Sequence, residues 1–397
     1  MNVRYSGVGT VSTITDAERS VPRTTVAVDR HEHGEPREPT QVVWLDSVSS
    51  LGTLRDEWLQ LAEDLPAASY FQTPDWVLAW WRTIGGEPRT AVAVWRNDAG
   101  GLDAVVALSR VRQPLHRRVP FPVPVWINAG SGTGAGDHCG WLVRPHRQEA
   151  VWDWVRRQTG RETLLLQNVD RAHGPASPLL KPVWDTICPR CHVADVETKY
   201  SSNFRQQLRA RERKIRRMGV TLRWVDPPAV DDRVLDALFS LHQNRWRQKN
   251  GRSSFAADHL ALHRMLAASS APGRGPGAVI AEHEGTCIGV LYGFWWRDSF
   301  AYYQMGWDPA WAKYSVGLVL LRDAIKMTRE RGGQVFDFLR GPEPFKYRFG
   351  AEDRVDTTWL LPKGWTGPVL RSGFAGRRVL RTIRRSLEER ARGRDSD

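Results

Sequence analysis

The sequence predicts a mixed α/β (α+β) fold made of two similar domains, each a mixed, largely antiparallel sheet flanked by helices. Helical spacing followed by a paired strand pattern occurs once in residues 41–190 and again in residues 195–365. Val92 and Val279 take equivalent places in the two hairpin patterns. A chain of 397 residues is long enough for two to three domains with cores of their own.

In the first domain, a short strand near Val42–Leu45 precedes an apolar helical pattern over Leu51–Leu65. Thr73-Pro74-Asp75 predicts the start of a second helix, because a capping residue is followed by proline in the first turn. Ala91–Trp95 and Ala104–Val111, separated by the polar turn Asn97–Gly101, predict an antiparallel hairpin.

The second domain repeats this order. Ala278–Glu282 and Cys287–Trp296 flank a turn at Glu284-Gly285 and predict a second hairpin. A strand over Ser299–Gln304 and a helix from Val316 to Gly332-Gly333 follow. Val335–Leu339 predicts the next strand.

The remaining segments are expected to lie outside the two domains. Residues 1–40 are polar and aperiodic and predict a disordered leader, and Pro182–Val193 predicts a loop between the domains. Residues 366–397 predict a basic amphipathic tail. Neither a secretory signal nor a membrane-spanning stretch is found in the sequence, so we expect a cytoplasmic protein.

The net charge of +13 is concentrated in residues 201–219 and 371–397, and the rest of the chain is nearly neutral. This pattern argues against a uniformly basic, DNA-packing protein. The two basic segments suit an anionic partner, which is a phosphorylated substrate, tRNA, or an anionic membrane surface contacted peripherally through 370–394. The alternative is that both are solvated helix faces.

Cys188, Cys191 and His192 have the spacing of a haem attachment motif or of half a zinc site. Haem attachment of this type requires export, and zinc would need further ligands, for which His138 and Cys139 are the candidates. We therefore expect no metal and reduced thiols in a loop.

A phosphate site is predicted where a helix begins after a strand. Ser315, Val316 and Gly317 lie at the start of the predicted Val316 helix, where a hydroxyl can cap and backbone N–H groups can meet phosphate. An ordinary capped helix is the alternative.

Charged residues also gather after the strand that ends near Asp337. Arg340, Glu343 and Lys346 follow it closely, among aromatic residues that exclude water. A lysine in such a place can neutralise a developing oxyanion. A salt-bridged turn is the alternative.

Three other segments carry candidate residues. His242 lies on the apolar face of a predicted helix with Arg245 beside it, and is either a core histidine or a base. The glycine run Gly130–Gly136 does not precede an apolar helix, so we interpret it as a loop near a cleft that carries Asp137 and His138. Arg205 and Arg209 flank the apolar face of an arginine-rich helix.

Three motifs together resemble a known family. Tyr70–Trp76, Leu241–Trp246, and Asp337–Gly341 with Phe345–Gly350 are similar to GNAT-type acyltransferases of the CelD-like group, which carry a BioF2-like acetyltransferase domain. These are relatives of the Fem peptidoglycan aminoacyltransferases. The resemblance covers about residues 41–362 and implies two tandem GNAT-like domains.

The resemblance also implies site residues. Lys346 matches the lysine that steadies the reacting carbonyl in Fem-type enzymes, and Ser315 and Gly317 take the place of the pyrophosphate loop. That loop departs from the usual GNAT signature at two of its three positions, Ala312 and Ser315. No lysine follows Trp76 as it does in enzymes acting on murein precursors.

We therefore expect an N-acyltransferase that moves an acyl group from acyl-CoA, such as acetyl-CoA, to a small-molecule amine or a cell-envelope precursor. The alternatives are an aminoacyl-tRNA donor or a non-catalytic scaffold bound to membrane or polysaccharide. The expected catalytic residues are Lys346, Asp337, His242 and Glu343, and the expected substrate-binding residues are Arg205, Arg209, Arg245, Tyr303, Arg340 and Asp137.

Overall fold

The structure is a computed structural model that describes residues 37–116, 119–132, 136–175, 177–248 and 257–377. The predicted leader up to residue 36 and the predicted tail beyond 377 lie outside these ranges. Residues 366–377 are helical, and Trp365 just before them is 67% exposed. None of the helices in the described ranges is both long and apolar enough to cross a membrane.

The first half of the chain contains the two helices and the hairpin that the sequence predicts. Its turn is closed by Asn97, whose side-chain oxygen accepts a hydrogen bond of 3.0 Å from the backbone N–H of Gly101. The elements are β1 (Gln41–Trp44), α1 (Leu54–Asp64), α2 (Pro74–Arg82), β2 (Arg89–Arg96), β3 (Leu102–His116), β4 (Val119–Asn128), β5 (Leu142–Val143), α3 (Gln148–Gln158) and β6 (Leu164–Asp170).

The second half also contains its predicted hairpin, strand and helix in order. Its elements are β7 (Lys181–His192), α4 (Ser202–Arg217), β8 (Thr221–Val225), α5 (Asp232–Gln248), α6 (Ala257–Ala268), β9 (Gly275–His283), β10 (Thr286–Trp296), β11 (Ser299–Trp307), α7 (Val316–Glu330), β12 (Val335–Asp337), α8 (Pro344–Arg348) and β13 (Glu352–Leu361).

One continuous sheet joins the two halves. Its strand order is β1-β2-β3-β4-β6-β13-β7-β12-β11-β10-β9-β8, with β5 paired to β3. Strand β13, the last in the chain, lies between β6 and β7 and is antiparallel to both. The two halves are therefore held together by backbone hydrogen bonds as well as by side chains.

The expectation of a loop at Pro182–Val193 is wrong, because this segment is strand β7. It pairs with β13 over Lys181–Arg190 and with β12 over Arg190–His192. The prolines suggested a linker, since proline cannot donate to a strand ladder. A register shift in β13 between Thr358 and Trp359, opposite the start of β7, interrupts the ladder near Pro182.

Helices cover both faces of the sheet. In β10, Tyr292 and Phe294 belong to one apolar cluster, and Leu291 and Trp295 belong to another on the opposite face. The first cluster contains residues of α1, α2, α5 and α6 and extends through both halves. On the second face, α4 and α7 cover the second half and α3 covers the first. We call these the α5 face and the α7 face.

The α5 face also holds the halves together through aromatic side chains. The ring of Tyr70 stacks on Phe294 with centroids 4.8 Å apart, and the indole N–H of Trp296 donates to the carbonyl of Ala68 at 2.9 Å. Such aromatic pairs add stability beyond the area that they bury.

Helix α5 approaches β11 closely at Gly306. A Cβ atom at this position would lie 2.8 Å from the backbone nitrogen of His242 and 2.9 Å from the carbonyl oxygen of Leu238. Only glycine therefore lets the helix backbone lie so near the strand.

We expect Gly306→Ala to lower the free energy of unfolding by about 1–3 kcal/mol, because either α5 or β11 must shift. Gly376→Ala is the control, since a Cβ there meets no atom within 4 Å. Urea denaturation of both variants measures the difference. Equal stability of the two variants would contradict this account of the contact.

Candidate functional site

The sheet opens between two parallel strands in the second half. β11 and β12 pair at only three positions, and the last pair is Ala301 with Asp337. Beyond it the chain follows β7, since the N–H groups of Phe338 and Gly341 donate to the carbonyls of Pro189 and Ile187 at 2.9 and 2.8 Å. We call the opening between β11 and residues 338–341 the fork.

A β-bulge lies at the fork. The register between β10 and β11 passes from Gly293 opposite Tyr302 to Tyr292 opposite Gln304, so Tyr303 is an extra residue. Bulges re-aim side chains and are common beside active sites. Tyr303 packs on the α5 face, with its ring centroid 5.3 Å from that of Phe294.

Asp137 and Arg340 meet beside Tyr303. Nε of Arg340 lies 2.6 Å from the Asp137 carboxylate, and the Arg340 backbone N–H donates to the same carboxylate at 3.1 Å. Burial raises the pKa of Asp137, and the Arg340 charge opposes that rise. Burial also raises the pKa of Tyr303, so its phenol stays protonated at neutral pH. Three predicted substrate-binding residues are thus brought together.

Next to this pair, His138 is buried between two carboxylates. Its Nδ1 lies 2.7 Å from Asp356 and its Nε2 lies 3.0 Å from Asp337, while its backbone N–H donates to Asp356 at 2.7 Å. Burial alone would lower the pKa of His138, but Asp356 and Asp337 raise it to about 10. The ring is therefore an imidazolium at neutral pH.

Asp337, a predicted catalytic residue, is an acceptor in this cluster. Burial would raise its pKa, but the charge of His138 and its hydrogen bond, then the charge of Arg354, lower it. Its second oxygen accepts from the backbone N–H of Leu339 at 2.8 Å. Arg354 lies 3.6 Å from Asp337 and 2.7 Å from Asp170. Asp337 is thus an anion held by cations.

Lys346 is buried behind the fork. Its ammonium donates to the carbonyls of Leu339, Arg340 and Gly341 at 3.1, 2.9 and 2.8 Å, and lies 2.9 Å from Glu343. An ammonium has three hydrogens. These hydrogens are donated to carbonyls of the loop that carries Arg340, and the exposed Glu343 carboxylate supplies the fourth oxygen around the ammonium. The catalytic roles expected for Lys346 and Glu343 stay predictions.

His242 lies on α5 and is 3% exposed. Its backbone nitrogen is the group that approaches Gly306 of β11, so it sits on the α5 face near the fork. Arg245 belongs to the same helix, and its side chain lies outside the part of the structure that is described.

The predicted phosphate-binding residues begin α7 on the opposite face. Ser315 has a left-handed backbone, with φ of 57°, and its hydroxyl contacts the guanidinium of Arg211 on α4. The expectation that Ser315 caps α7 with its side chain is therefore wrong. Val316 is buried, and a Cβ on Gly317 would lie 3.4 Å from the ring of Trp307.

Helix α4 presents exposed arginines on the same face. Arg205, Arg209 and Arg213 follow at four-residue spacing and, with Ser202 and Gln206, line a surface cavity of about 370 Å³. Residues four apart lie on one side of a helix. The predicted residues therefore form two sets, one on each face of the sheet.

The two cysteines of the CxxC motif cannot share a ligand. They are three residues apart in β7, so their side chains point to opposite faces. Cys191 packs in the cluster of the α7 face, whereas the Cys188 sulfur lies with ligand atoms of His138 and Asp356, all within 4.8 Å of one another. Burial raises the pKa of Cys188, which keeps it a thiol.

Four residues that shape the α5 face were not among the predicted site residues, namely His138, Arg190, Arg354 and Asp356. His138 was considered as a candidate zinc ligand and as a residue of a loop near a cleft. Arg354 and Asp356 are two residues apart in β13, and the alternation of side chains within a strand places them on one face. That spacing was the available signal.

Comparison with known protein families gives a match in the second half of the chain. Residues 202–347 match the family model described as an acetyltransferase (GNAT) domain. No curated protein sequence matches the chain.

Solved structures share the fold at low sequence identity. FemX is 10% identical with a TM-score of 0.57, covering 77% of this chain and 95% of its own. A domain assigned to the C-terminus of a lysylphosphatidylglycerol synthetase from Agrobacterium fabrum is 12% identical with a TM-score of 0.53, covering 82% and 96%. L-PGS from Bacillus licheniformis is 12% identical with a TM-score of 0.50, covering 80% and 96%.

The resemblance to GNAT-type acyltransferases is thus confirmed. Residues 202–347 match the GNAT acetyltransferase model, and the chain shares its fold with FemX. Fold and family model together support acyl transfer as the class of reaction.

The His138 cluster gives stability a defined pH dependence. A raised pKa means that the stabilisation is fully present below 6.5, the ordinary value, and is lost as pH rises through about 10. We expect wild-type stability to fall between pH 7 and about pH 10, and His138→Gln to show a smaller fall. At neutral pH the variant should be about 3–5 kcal/mol less stable, since a buried ion pair loses one partner.

Urea denaturation across this pH range measures both effects. Lysines and tyrosines titrate in both proteins, so only the difference between them reports on His138. Parallel pH profiles for wild type and variant would contradict the buried imidazolium.

Proposed function

We propose that the protein is an N-acyltransferase that transfers an acyl group from acyl-CoA, such as acetyl-CoA, to an amine. The observation that carries the proposal is the fork. There β11 and β12 part beside the bulge of Tyr303, and the start of α7 is close to β11, since a Cβ on Gly317 would lie 3.4 Å from the Trp307 ring. A donor and an acceptor that approach from opposite faces would meet there.

The donor is assigned to the α7 face. Beyond Ala301 the ladder between β11 and β12 ends, so an extended group such as a pantetheine arm can align along β11. Backbone N–H groups at the start of α7, near Gly317, suit the pyrophosphate. Arg205 and Arg209 supply guanidinium groups for a further phosphate.

The reaction needs no covalent enzyme intermediate. The neutral amine attacks the thioester carbonyl, a C–N bond forms, and the carbonyl oxygen becomes an oxyanion. When the oxyanion collapses, the C–S bond breaks, the nitrogen loses its proton, and the thiolate of CoA takes one up. The products are an amide and free CoA.

Three residues near the fork have properties that suit these steps. Tyr303 keeps its proton and can donate it to the leaving thiolate. Arg340 lies beside Tyr303 and can stabilise the oxyanion, with Lys346 holding its loop. His242 is the candidate that takes the amine proton.

Replacing Tyr303 tests the assignment. We expect Tyr303→Phe to lower turnover by about 100-fold with KM for acetyl-CoA little changed, because the phenol acts only when charge develops. Tyr200→Phe is the control, since the Tyr200 ring is buried against Phe204 and Phe349 and does not belong to β11. Release of CoA thiol with a mixture of amines measures both. Equal activity of the two variants would remove Tyr303 from the chemistry.

A second donor, aminoacyl-tRNA, is favoured by one observation. The arginines of α4 form an exposed cationic row of the kind that binds a nucleic acid backbone. The acceptor would then be a cell-envelope precursor, a substrate class suggested by the names of the Fem and lysylphosphatidylglycerol synthetase relatives.

The two donors predict different binding. For acyl-CoA, acetyl-CoA should raise the melting temperature of wild type, and Arg209→Gln should reduce that rise. For tRNA, a labelled tRNA should bind with an affinity that falls steeply with salt, and acetyl-CoA should give no shift. The absence of both effects would favour a non-catalytic scaffold.

A further inference from the structure

Two cavities adjoin each other along the sheet. The first lies on the α5 face beside the fork, and the second is lined by side chains of both faces, since Leu142 belongs to the α5-face cluster and Trp141, Trp152 and Leu166 belong to the cluster under α3. The first, of about 880 Å³, lies between residues 66–71 of the first half and strands β7, β11, β12 and β13, and we call it the charged cavity. The second, of about 370 Å³, contains Trp141 and Trp152, and we call it the tryptophan cavity. Both volumes are in the range of small-molecule sites.

The two cavities meet at one place. His138, Asp170, His173 and Arg354 line both of them. Arg354 and Asp170 form an ion pair of 2.7 Å there, and His173 lies 3.0 Å from the same aspartate. We call these four residues the waist. A single ligand that extends past them can occupy both cavities.

The tryptophan cavity is suited to an apolar group. Its two indole rings lie 5.5 Å apart at 51° and are only partly buried. The rest of its wall is mainly aliphatic and includes Leu142, Leu166 and Val169. Half-exposed aromatic rings in an aliphatic cavity are typical of ligand sites.

Arg190 is the cation of the charged cavity that directly contacts no carboxylate of the described residues, although Glu352, its register partner on β13, interacts with it electrostatically. Asp337 and Asp170 are compensated by His138 and Arg354, and Tyr347 donates to Asp353 at 2.7 Å. Asp298 is exposed at the mouth. Arg190 is half-buried, and its guanidinium has no hydrogen bond or ion pair among the described residues. It is therefore available to an anionic group of a ligand.

The strand order fixes the sequence of these features. Asp170, Arg354, Arg190, Asp337 and Ala301 lie on β6, β13, β7, β12 and β11, which are consecutive in the sheet. Strands are about 4.8 Å apart, so the path from the waist to the fork is about 19 Å long. Arg190 lies one strand before Asp337, its register partner, and two strands before Ala301.

We propose that these cavities bind the acceptor, and that the acceptor is an amphipathic amine with a carboxylate or phosphate between its amino group and an apolar arm. The arm occupies the tryptophan cavity, Arg190 binds the anion, and the amine reaches the fork. The assignment of the amine rests on the proposed function, whereas the binding of an amphipathic anion does not.

Two fluorescent probes separate the contributions of anion and arm. Anilinonaphthalene sulfonate carries an aromatic group and an anion, and N-phenylnaphthylamine carries a similar aromatic group without the anion. We expect Arg190→Gln to weaken the binding of the sulfonate probe at least about tenfold and to leave the affinity for the neutral probe unchanged. Trp152→Ala should weaken the binding of both probes. Arg171→Gln is the control, since Arg171 lines the charged cavity but lies 3.3 Å from Asp185.

Competition identifies the anion. Dodecanoate and dodecyl phosphate should displace the sulfonate probe from wild type, and the stronger competitor indicates carboxylate or phosphate. Dodecylamine should compete weakly. The role of Arg190 would be overturned if dodecylamine competed as well as dodecanoate and dodecyl phosphate. It would also be overturned if Arg190→Gln lost affinity for both probes equally. If Arg190→Gln melts far below wild type, Arg190→Lys replaces it, with an intermediate loss expected.

The binding of these probes does not depend on which acyl donor the protein uses. Acetyl-CoA should raise the melting temperature of Arg190→Gln as much as that of wild type. If wild type shows no such rise while the probes behave as expected, the acyl-CoA assignment fails and the amphipathic site stands. If the rise is present but Arg190→Gln binds both probes like wild type, only the amphipathic site fails.

Discussion

The fold depends on keeping one buried positive charge compensated. His138 comes from the first half of the chain, and its two carboxylate partners, Asp337 and Asp356, come from the last two strands. A buried imidazolium with only one of them would be far less stable than the observed arrangement, because each buried ion needs partners for its charge and its hydrogen bonds. The loop that follows the glycine run is thereby fixed against β12 and β13, and the adjacent Asp137 is delivered to Arg340.

The position of β13 has the same consequence at the level of the backbone. A chain of two independent domains would leave a sheet edge at β6 and another at β7, and exposed edges invite pairing with other chains. Here β13 fills the space between them, so both edges are covered and the halves share one sheet. The charged cavity lies directly over this junction, which gives it walls from both halves and a rigid floor.

What the sequence predicted well was local. The hairpins β2–β3 and β9–β10 were found because Asn97–Gly101 and Glu284-Gly285 are turn signals between alternating apolar residues. The strand β7 was missed because its partners β12 and β13 follow it in the chain by more than 140 residues, and because Pro182 and Pro189 are typical of linkers. The same limit applies to the site. Asp137, Tyr303, Arg340 and Asp337 were candidates by their residue types, but no pattern in the sequence says that His138 lies between two carboxylates or that Lys346 is occupied by three carbonyls.

The division of the site by the sheet explains why its two faces differ in charge. On the α7 face Arg205, Arg209 and Arg213 of α4 are exposed and form no ion pair among the described residues, which suits electrostatic attraction of a polyanionic donor. On the α5 face nearly every charge is paired within the protein, so an acceptor gains little from net charge and is selected by shape and by one guanidinium. Under the proposed function the two faces meet where β11 and β12 part. The bulge at Tyr303 and the residues of the 338–341 loop border that opening. A substitution that closes it should therefore abolish turnover without preventing binding, because each ligand could still bind on its own face but the two could not react.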